Sequence, residues 1–450
     1  MNDERIPPIE TVAGFAAASG RLMRRGGFAD TSLAPAFAER IEAVFGTRLT
    51  TREVVDRIVS DVERDGDAAV ARYTKAFDNR ESDRFEVPKR DWDAAWEGLD
   101  DSLREALLVA AGRITAFHEN QTRPSWIEPE PLGIFGHIVR PLERIGVYVP
   151  GGSAALPSSL MMIVIPAKVA GVREIVVSAP PRHHGGVEPV VLAAARVAGV
   201  DRVFAIGGAQ AIAAMAFGTE TVPHVDKILG PGNIFVTLAK QRVFGAVDID
   251  QLAGPTETML IADDSADVEL IAADMLAQAE HDAQASAILI TTSARIAAQV
   301  PEEIVRQLAG LERHEIARAS LLHNGLVARV AGLDEAVRLA NGYAPEHLCL
   351  LVSDPWALIP AIENAGGVFL GEGSPEALGD YAAGPSHVMP TGGTARFSSP
   401  VNVHDFQKVI SIIGANRRAI EELGPVTIRL AEAEGLGGHA ASIRRRLERT

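Results

Sequence analysis

The sequence predicts an α/β protein built from two Rossmann-like, doubly wound parallel-sheet domains, with a helical N-terminal region and a helical C-terminal tail. Three observations carry this reading. From Arg144 onward, short runs of aliphatic residues alternate with segments of helix length, the pattern of a parallel sheet with crossover helices. The alternation occurs as two separate series, over residues 144–256 and 257–399. Finally, the 450 residues are 47% hydrophobic but only 5% aromatic, as expected of a chain long enough to bury two Ala/Val/Leu/Ile-rich cores.

Residues 1–143 read mostly as helix. Periodicity is weak up to Arg48, consistent with one or two short helices packed on something else. Thr50 and Glu53 then form a capping-box pair. Val54, Val55, Ile58, Val59 and Val62 follow as the apolar face of a helix that stops at Gly66. A further helix covers Asp100–His118, and a proline-rich connector from Arg123 to Gly133 leads to a strand-like stretch. This region is expected to cover the second sheet.

In the first series the strands are Ile145–Val149, Glu174–Ala179, Arg202–Ile206 and Lys227–Leu229. Helices run through Ser158–Ala170, Val187–Ala198 and Ala209–Phe217. The second series has strands at Thr258–Ala262, Ala287–Thr291, Leu348–Val352 and Val368–Leu370, with helices at Val268–His281, Ala294–Leu308 and Pro355–Asn364. Residues 400–450 lose strand character and read as helix.

A formal net charge of -16 and a pI of about 5.3 disfavour a nucleic-acid partner. The basic triplet Arg444-Arg445-Arg446 reads as a solvated helix face. The single cysteine, Cys349, lies in an apolar strand; it excludes an internal disulfide and fits a reducing compartment. Met1–Arg5 lacks the basic-then-apolar pattern of a signal peptide. The most apolar run, Leu160–Ala167, is too short for a membrane span and contains Pro166. The expectation is a soluble cytoplasmic protein without a membrane partner.

Chemistry points first to Tyr343-Ala344-Pro345-Glu346-His347-Leu348, an acid beside an imidazole where a loop feeds the apolar run Leu348–Val352. Neighbours on an extended backbone point in opposite directions, so Glu346 and His347 can serve different proton transfers. A solvated Glu beside a structural His is the bland alternative. Three Gly-rich turns follow strands of the first series: Tyr148–Ser153, Ala205–Gln210 and Leu229–Asn233. Glycines admit a phosphate group to the backbone, and helix N-termini supply N–H donors. No G-x-G-x-x-G stands at the first turn, so the usual dinucleotide fingerprint is missing.

Gln278 and His281, three apart, share a helix face and could meet one metal. Ser374-Pro375-Glu376 opens another helix in the standard way, with Ser as N-cap. Asp380, at its far end, opposes the helix dipole. His387 lies beyond it, and Glu434 and His439 bracket a Gly-rich turn near the C-terminus. Two His, an Asp and an amide oxygen suit zinc.

Taken together, Ile145–Ser153, Gly207–Asn233, Ala253–Glu257, Gln278–His281, Ala344–Leu348, Gly379–Thr391 and Glu434–His439 closely resemble the histidinol dehydrogenase family, in order and spacing, from about Gly27 to the C-terminus. The resemblance implies zinc- and NAD+-dependent, four-electron oxidation of L-histidinol to L-histidine via L-histidinaldehyde, the last step of histidine biosynthesis. Residue by residue, Gln278, His281, Asp380 and His439 match its zinc ligands, and Glu346 and His347 its acid/base pair. Tyr148, Gln210 and Asn233 match positions that contact NAD+. Thr256, His387 and Glu434 match substrate contacts, a set the zinc ligands and His347 join. Glu376 falls near the same pocket. The family is a homodimer whose C-terminal segment reaches the partner's site, so Glu434 and His439 would complete the other subunit's. Thr256 stands where many members carry Ser and keeps the hydroxyl. Relatives acting on other amino or sulfonated alcohols, a zinc hydrolase using Glu346 to activate water, and a catalytically dead binding protein are the alternatives.

Overall fold

The first element among the described residues is an edge strand where the sequence suggests a short helix. A computed structural model describes residues 7, 9–23, 35–80, 84–151, 156–182 and 186–449. In it β1 (Glu10–Ala13) precedes α1 (Phe15–Leu22) and α2 (Pro35–Phe45). Next come α3 (Thr51–Asp65), α4 (Asp67–Asp78), α5 (Lys89–Glu97) and α6 (Asp101–Glu119). The Thr50–Glu53 capping box forms in both directions, and α3 stops at Gly66. The proline-rich connector is a hairpin, β2 (Trp126–Glu130) and β3 (Gly133–Pro141).

The first series folds as β4 (Arg144–Tyr148), α7 (Pro157–Ala170), β5 (Glu174–Ala179), α8 (Pro189–Ala198), β6 (Arg202–Ala205), α9 (Gly208–Phe217), β7 (Lys227–Leu229), α10 (Ile234–Val243) and β8 (Asp248–Ile249). All five strands are parallel, in the order β6-β5-β4-β7-β8. Alternation sends Ile175 and Val177 to one core and Val176 to the other, so each face is covered by helices. The apolar run 160–167 is buried inside α7, and no helix among the described residues is long and apolar enough to cross a membrane.

The second series gives β9 (Glu257–Ala262), α11 (Val268–Ala279), β10 (Ser286–Thr291), α12 (Ala294–Leu308), α13 (His314–Asn324), β11 (Leu326–Arg329), α14 (Leu333–Tyr343), β12 (His347–Leu351), β13 (Gly367–Leu370) and α15 (Glu376–Tyr381). The strand order β11-β10-β9-β12-β13 repeats the first sheet's, with β1 added in parallel beside β11. The sequence reading gives no element for α13, β11 or α14. It expects helix over Pro355–Asn364, which is a 3₁₀ segment ending at Ala361; Pro360 within it removes a backbone donor.

Two expectations are corrected. Among the described residues, the N-terminal region, expected over the second sheet, sends only β1 and α1 there. α3 and α4 pack on α9 and α10, and α5 and α6 on α7 and α8, all on the first sheet. An amphipathic stripe fixes which face of a helix is buried, not which of two similar apolar sheets receives it. The tail also keeps a strand, β14 (Gln407–Ala415), before α16 (Arg417–Ala433) and α17 (Gly437–Leu447). β14 pairs antiparallel with β3 from Gln407↔Pro141 to Ala415↔Gly133. Its residues are mostly exposed on both faces, so no buried alternation marks it.

Candidate active site

The carboxyl edge of the first sheet gathers the neutral side chains. Tyr148 ends β4, buried, and its hydroxyl accepts the N–H of Gly208 at 3.1 Å. Burial, reinforced by the charge of Asp78, pushes the phenol up to about 12, so it stays protonated. Gly208 sits at φ +64, and a Cβ there would lie 2.8 Å from Gln210 Oε1, so the turn after β6 closes on the Gln210 side chain. Asn233 caps α10, its Oδ1 accepting from the N–H groups of Phe235 (3.1 Å) and Val236 (3.3 Å). The turn after β4 is described only to Gly151; Gly152 and Ser153 lie outside the described residues.

At the second sheet the candidate residues gather at the amino end. β9 and β12 are neighbours, with His347 opposite Thr258. Ala344, in the left-handed region at φ 53, turns the chain out of α14. Glu346 and His347 follow, both almost wholly buried. Their side chains do not diverge: Glu346 precedes the ladder, and its Oε2 lies 3.7 Å from His347 Nδ1. Both grip the backbone of Glu257. Glu346 Oε2 accepts its N–H at 3.0 Å, and His347 Nδ1 donates to its carbonyl at 3.1 Å. That bond leaves the lone pair of the neutral ring on Nε2, a buried atom without a hydrogen-bond partner, 3.7 Å from Asp380 Oδ1.

Thr256 joins two of the expected residues. Gln278 Nε2 donates to Thr256 Oγ1 at 2.6 Å, and Thr256 Oγ1 donates to Glu346 Oε2 at 2.7 Å. The bond occupies the amide nitrogen of Gln278 and leaves its Oε1 as a potential metal ligand. His281, just past the end of α11, is exposed as a residue, but protein packed around its ring disfavours the charged form, with Asp380 opposing and His347 adding to the shift. Asp380 resists burial through His347, His387 and His281, which hold it below the usual carboxylate range. Those imidazoles explain an acid at the wrong end of a helix. His387 donates from Nδ1 to the Asp380 carbonyl at 2.6 Å and shares a 3.0 Å bond between Nε2 and Ser159 Oγ.

Glu376 is more than a helix-start acid. It is buried and hydrogen-bonded by Thr258, and Cys349 Sγ lies 3.2 Å from its Oε1. The helix cap itself falls on Pro375, not Ser374, with no side-chain bond. Burial pushes Glu376 and Glu346 up. Burial also opposes charge on His347, but Glu376, Glu346 and Asp380 outweigh it and hold the imidazole at about 10.

Glu434 and His439 are not brought to this cluster. Both are exposed, flanking the α16–α17 turn. Among the described residues no group of three or more His, Cys, Asp or Glu is set to hold a metal; within one chain the candidate set offers Gln278, His281 and Asp380.

Residues 46–447 match the family model for histidinol dehydrogenase. The chain belongs to the histidinol dehydrogenase family. It is 53% identical over 411 residues to histidinol dehydrogenase of Thermus thermophilus, covering 90% of this chain and 98% of the relative. To that of Deinococcus radiodurans it is 50% identical over 423 residues, 94% of this chain and 96% of the relative. The crystal structure of histidinol dehydrogenase from Elizabethkingia anophelis superposes with a TM-score of 0.90 at 35% identity, covering 98% of each chain. As a member of this family the protein is an oxidoreductase.

Sequence reasoning missed the parts that four residues play at this candidate site. Ser159 is one of several serines in a helix start. Glu257 acts through its backbone, which no side-chain pattern reveals. Thr258 and Cys349 reach Glu376 only because β9 and β12 are adjacent.

Proposed function

We propose that the protein oxidises L-histidinol to L-histidine through L-histidinaldehyde, reducing two NAD+, as the last step of histidine biosynthesis. The observation that carries the reading is His347, held by Glu257 so that Nε2 alone is free, with Glu346 3.7 Å away. His347 takes the hydroxyl proton through Nε2 as hydride leaves carbon. Glu346 then takes a proton from the water that adds to the aldehyde, and its raised pKa makes it a stronger base for that step. Thr256 and the Glu257 N–H hold the accepting oxygen in place. Tyr148, Gln210 and Asn233 contact NAD+, the acceptor of both hydrides.

The donor set fits zinc. Gln278, His281 and Asp380 supply an amide oxygen, an imidazole and a carboxylate, and His439 a second imidazole. The cluster is also short of positive charge: Glu346, Glu376 and Asp380 surround His347, the one imidazole of the three whose charged form is favoured. A divalent cation would balance it and lower His347 toward the neutral form that a base needs. When bound, zinc would orient the substrate's nitrogens. Exposure of Glu434 and His439 supports a homodimer in which each tail completes the partner's site. Apolar Val409, Ile413, Val426 and Leu430, exposed on the same arm, support it further.

The test is to count NADH formed per L-histidinol consumed by zinc-loaded protein at mildly alkaline pH, with and without chelator. Two NADH per substrate, lost on chelation and restored by zinc, is expected. Turnover without NAD+ would instead indicate hydrolysis. In single-turnover assays Glu346→Gln should impair aldehyde oxidation more than alcohol oxidation; equal losses would refute the division of labour.

A further inference from the structure

Lys240, in the last turn of α10, has a side chain only 2% exposed, an uncommon place for an ammonium group. It is held by one ion pair and two hydrogen bonds. It is ion-paired with Asp250, whose side chain is 4% exposed. It also donates to the carbonyls of Gly230 at 3.0 Å and Gln251 at 2.8 Å. Asp250 turns its Oδ2 to the Gly230 N–H at 2.7 Å. One buried pair therefore holds both backbone groups of Gly230. Only glycine fits at that position: at φ +115, a Cβ would lie 2.1 Å from the Tyr148 carbonyl oxygen.

On its other side the pair holds the start of the 250–256 linker between the sheets. Gln251 Nε2 donates to the Met389 carbonyl at 2.6 Å, and the Gly254 N–H to Thr391 Oγ1 at 2.7 Å. The linker ends at Thr256, bonded to Glu346 at 2.7 Å. The turn from Gly230 to Asn233 and the linker to Glu346 thus depart from one buried ion pair.

We propose that Lys240 and Asp250 are a positioning pair that fixes the Gly230–Asn233 turn against the inter-sheet linker, and so sets the bound cofactor against Glu346 and His347. This rests on reading the first sheet's carboxyl edge as the NAD+ side. A buried ion pair contributes little net stability over an apolar filler of the same volume. What a filler lacks is direction: charge-assisted hydrogen bonds from one ammonium and one carboxylate fix three backbone groups at once.

The experiment measures NAD+ and L-histidinol binding by calorimetry on zinc-loaded protein, with kcat and KM for both. The variant is Lys240→Met/Asp250→Asn, uncharged throughout and still able to accept from the Gly230 N–H. Val243→Ala, buried on the same helix, is the stability control. The double variant is expected to raise the Kd for NAD+ about tenfold or more, with that for L-histidinol changed less than about twofold and the control moving neither. Unchanged NAD+ affinity in the double variant, or an equal shift in the control, overturns the proposal. Should the double variant fail to fold, Asp250→Asn alone is expected to raise the NAD+ Kd about threefold, and no change would overturn the proposal equally. Wild-type protein that does not bind NAD+ removes the underlying reading together with this one; wild-type binding with an unaltered variant removes only the positioning pair.

Discussion

In the first sheet the site residues lie at the carboxyl ends of β4, β6 and β7, and Tyr148, Gln210 and Asn233 are all uncharged. In the second they lie at the amino ends of β9 and β12, where Glu346, His347, Glu376 and Asp380 crowd together, largely buried. Both sheets have the same strand order. Carboxyl-end sites exploit helix N-termini and glycine turns, which offer N–H donors to a ligand without burying charge. At the amino end the Glu257 N–H is already taken by Glu346, and the side-chain charges gathered there are paired among themselves. On the proposed function, one topology therefore supports a binding edge and a proton-transfer edge, distinguished by which end the loops equip.

The largest expected effect separates the two edges directly. His347→Asn should lower kcat by about 10²–10⁴-fold while leaving the Kd for NAD+ unchanged; a variant that loses cofactor affinity instead would place NAD+ at the second sheet. Asn233→Ala is the converse. It should raise the Kd for NAD+ about tenfold with kcat at saturating cofactor nearly unchanged, at a cost of about 1 kcal/mol from the lost helix cap. A fall in kcat with normal affinity would erase the division.

Charge beneath the first sheet should matter to stability rather than to turnover. Burial, against the opposing charges of Arg40 and Arg80, pushes Asp78 up to about 6, from 3.8. The folded pKa exceeds the unfolded one. Its stabilising contribution is therefore full below pH 3.8 and is lost as pH rises through about 6. Asp78→Asn should stabilise the protein at pH 7 by about 1–3 kcal/mol and flatten its stability between pH 4 and 6; urea unfolding across that range tests this, and an unaltered pH profile would exclude it. The smallest effect concerns Ala344. Ala344→Gly relieves left-handed strain of about 1 kcal/mol but removes a buried methyl and gains unfolded-state entropy. Denaturation midpoints should place the net change within about 0.5 kcal/mol; a much larger loss would show that packing, not strain, governs this turn.

Local sequence determined the elements whose signals are local. Short aliphatic runs gave β5 and β7 their observed bounds, and Ala294–Leu308 forms α12 as expected. Thr50 and Glu53 formed their capping box because it needs only four residues. The Glu346-His347 pair and the turns at Gly207 and Gly230 were legible for the same reason: a chemical group and its local backbone lie in one short stretch. Elements that depend on distant partners were not. β14 exists because β3, more than 260 residues earlier, offers an unpaired edge; α3 lies on the first sheet because its stripe fits α9 and α10. The convergence of Asp380, His281 and His387 on His347, the pairing of Ser159 with His387, and the cradle made by the Glu257 backbone were likewise decided by tertiary structure. Hydrophobic period and turn chemistry act over a few residues, so they are written in the chain. Which sheet end is equipped, and which buried charge meets which, follow from contacts between segments far apart in sequence, and those are settled only when the core has packed.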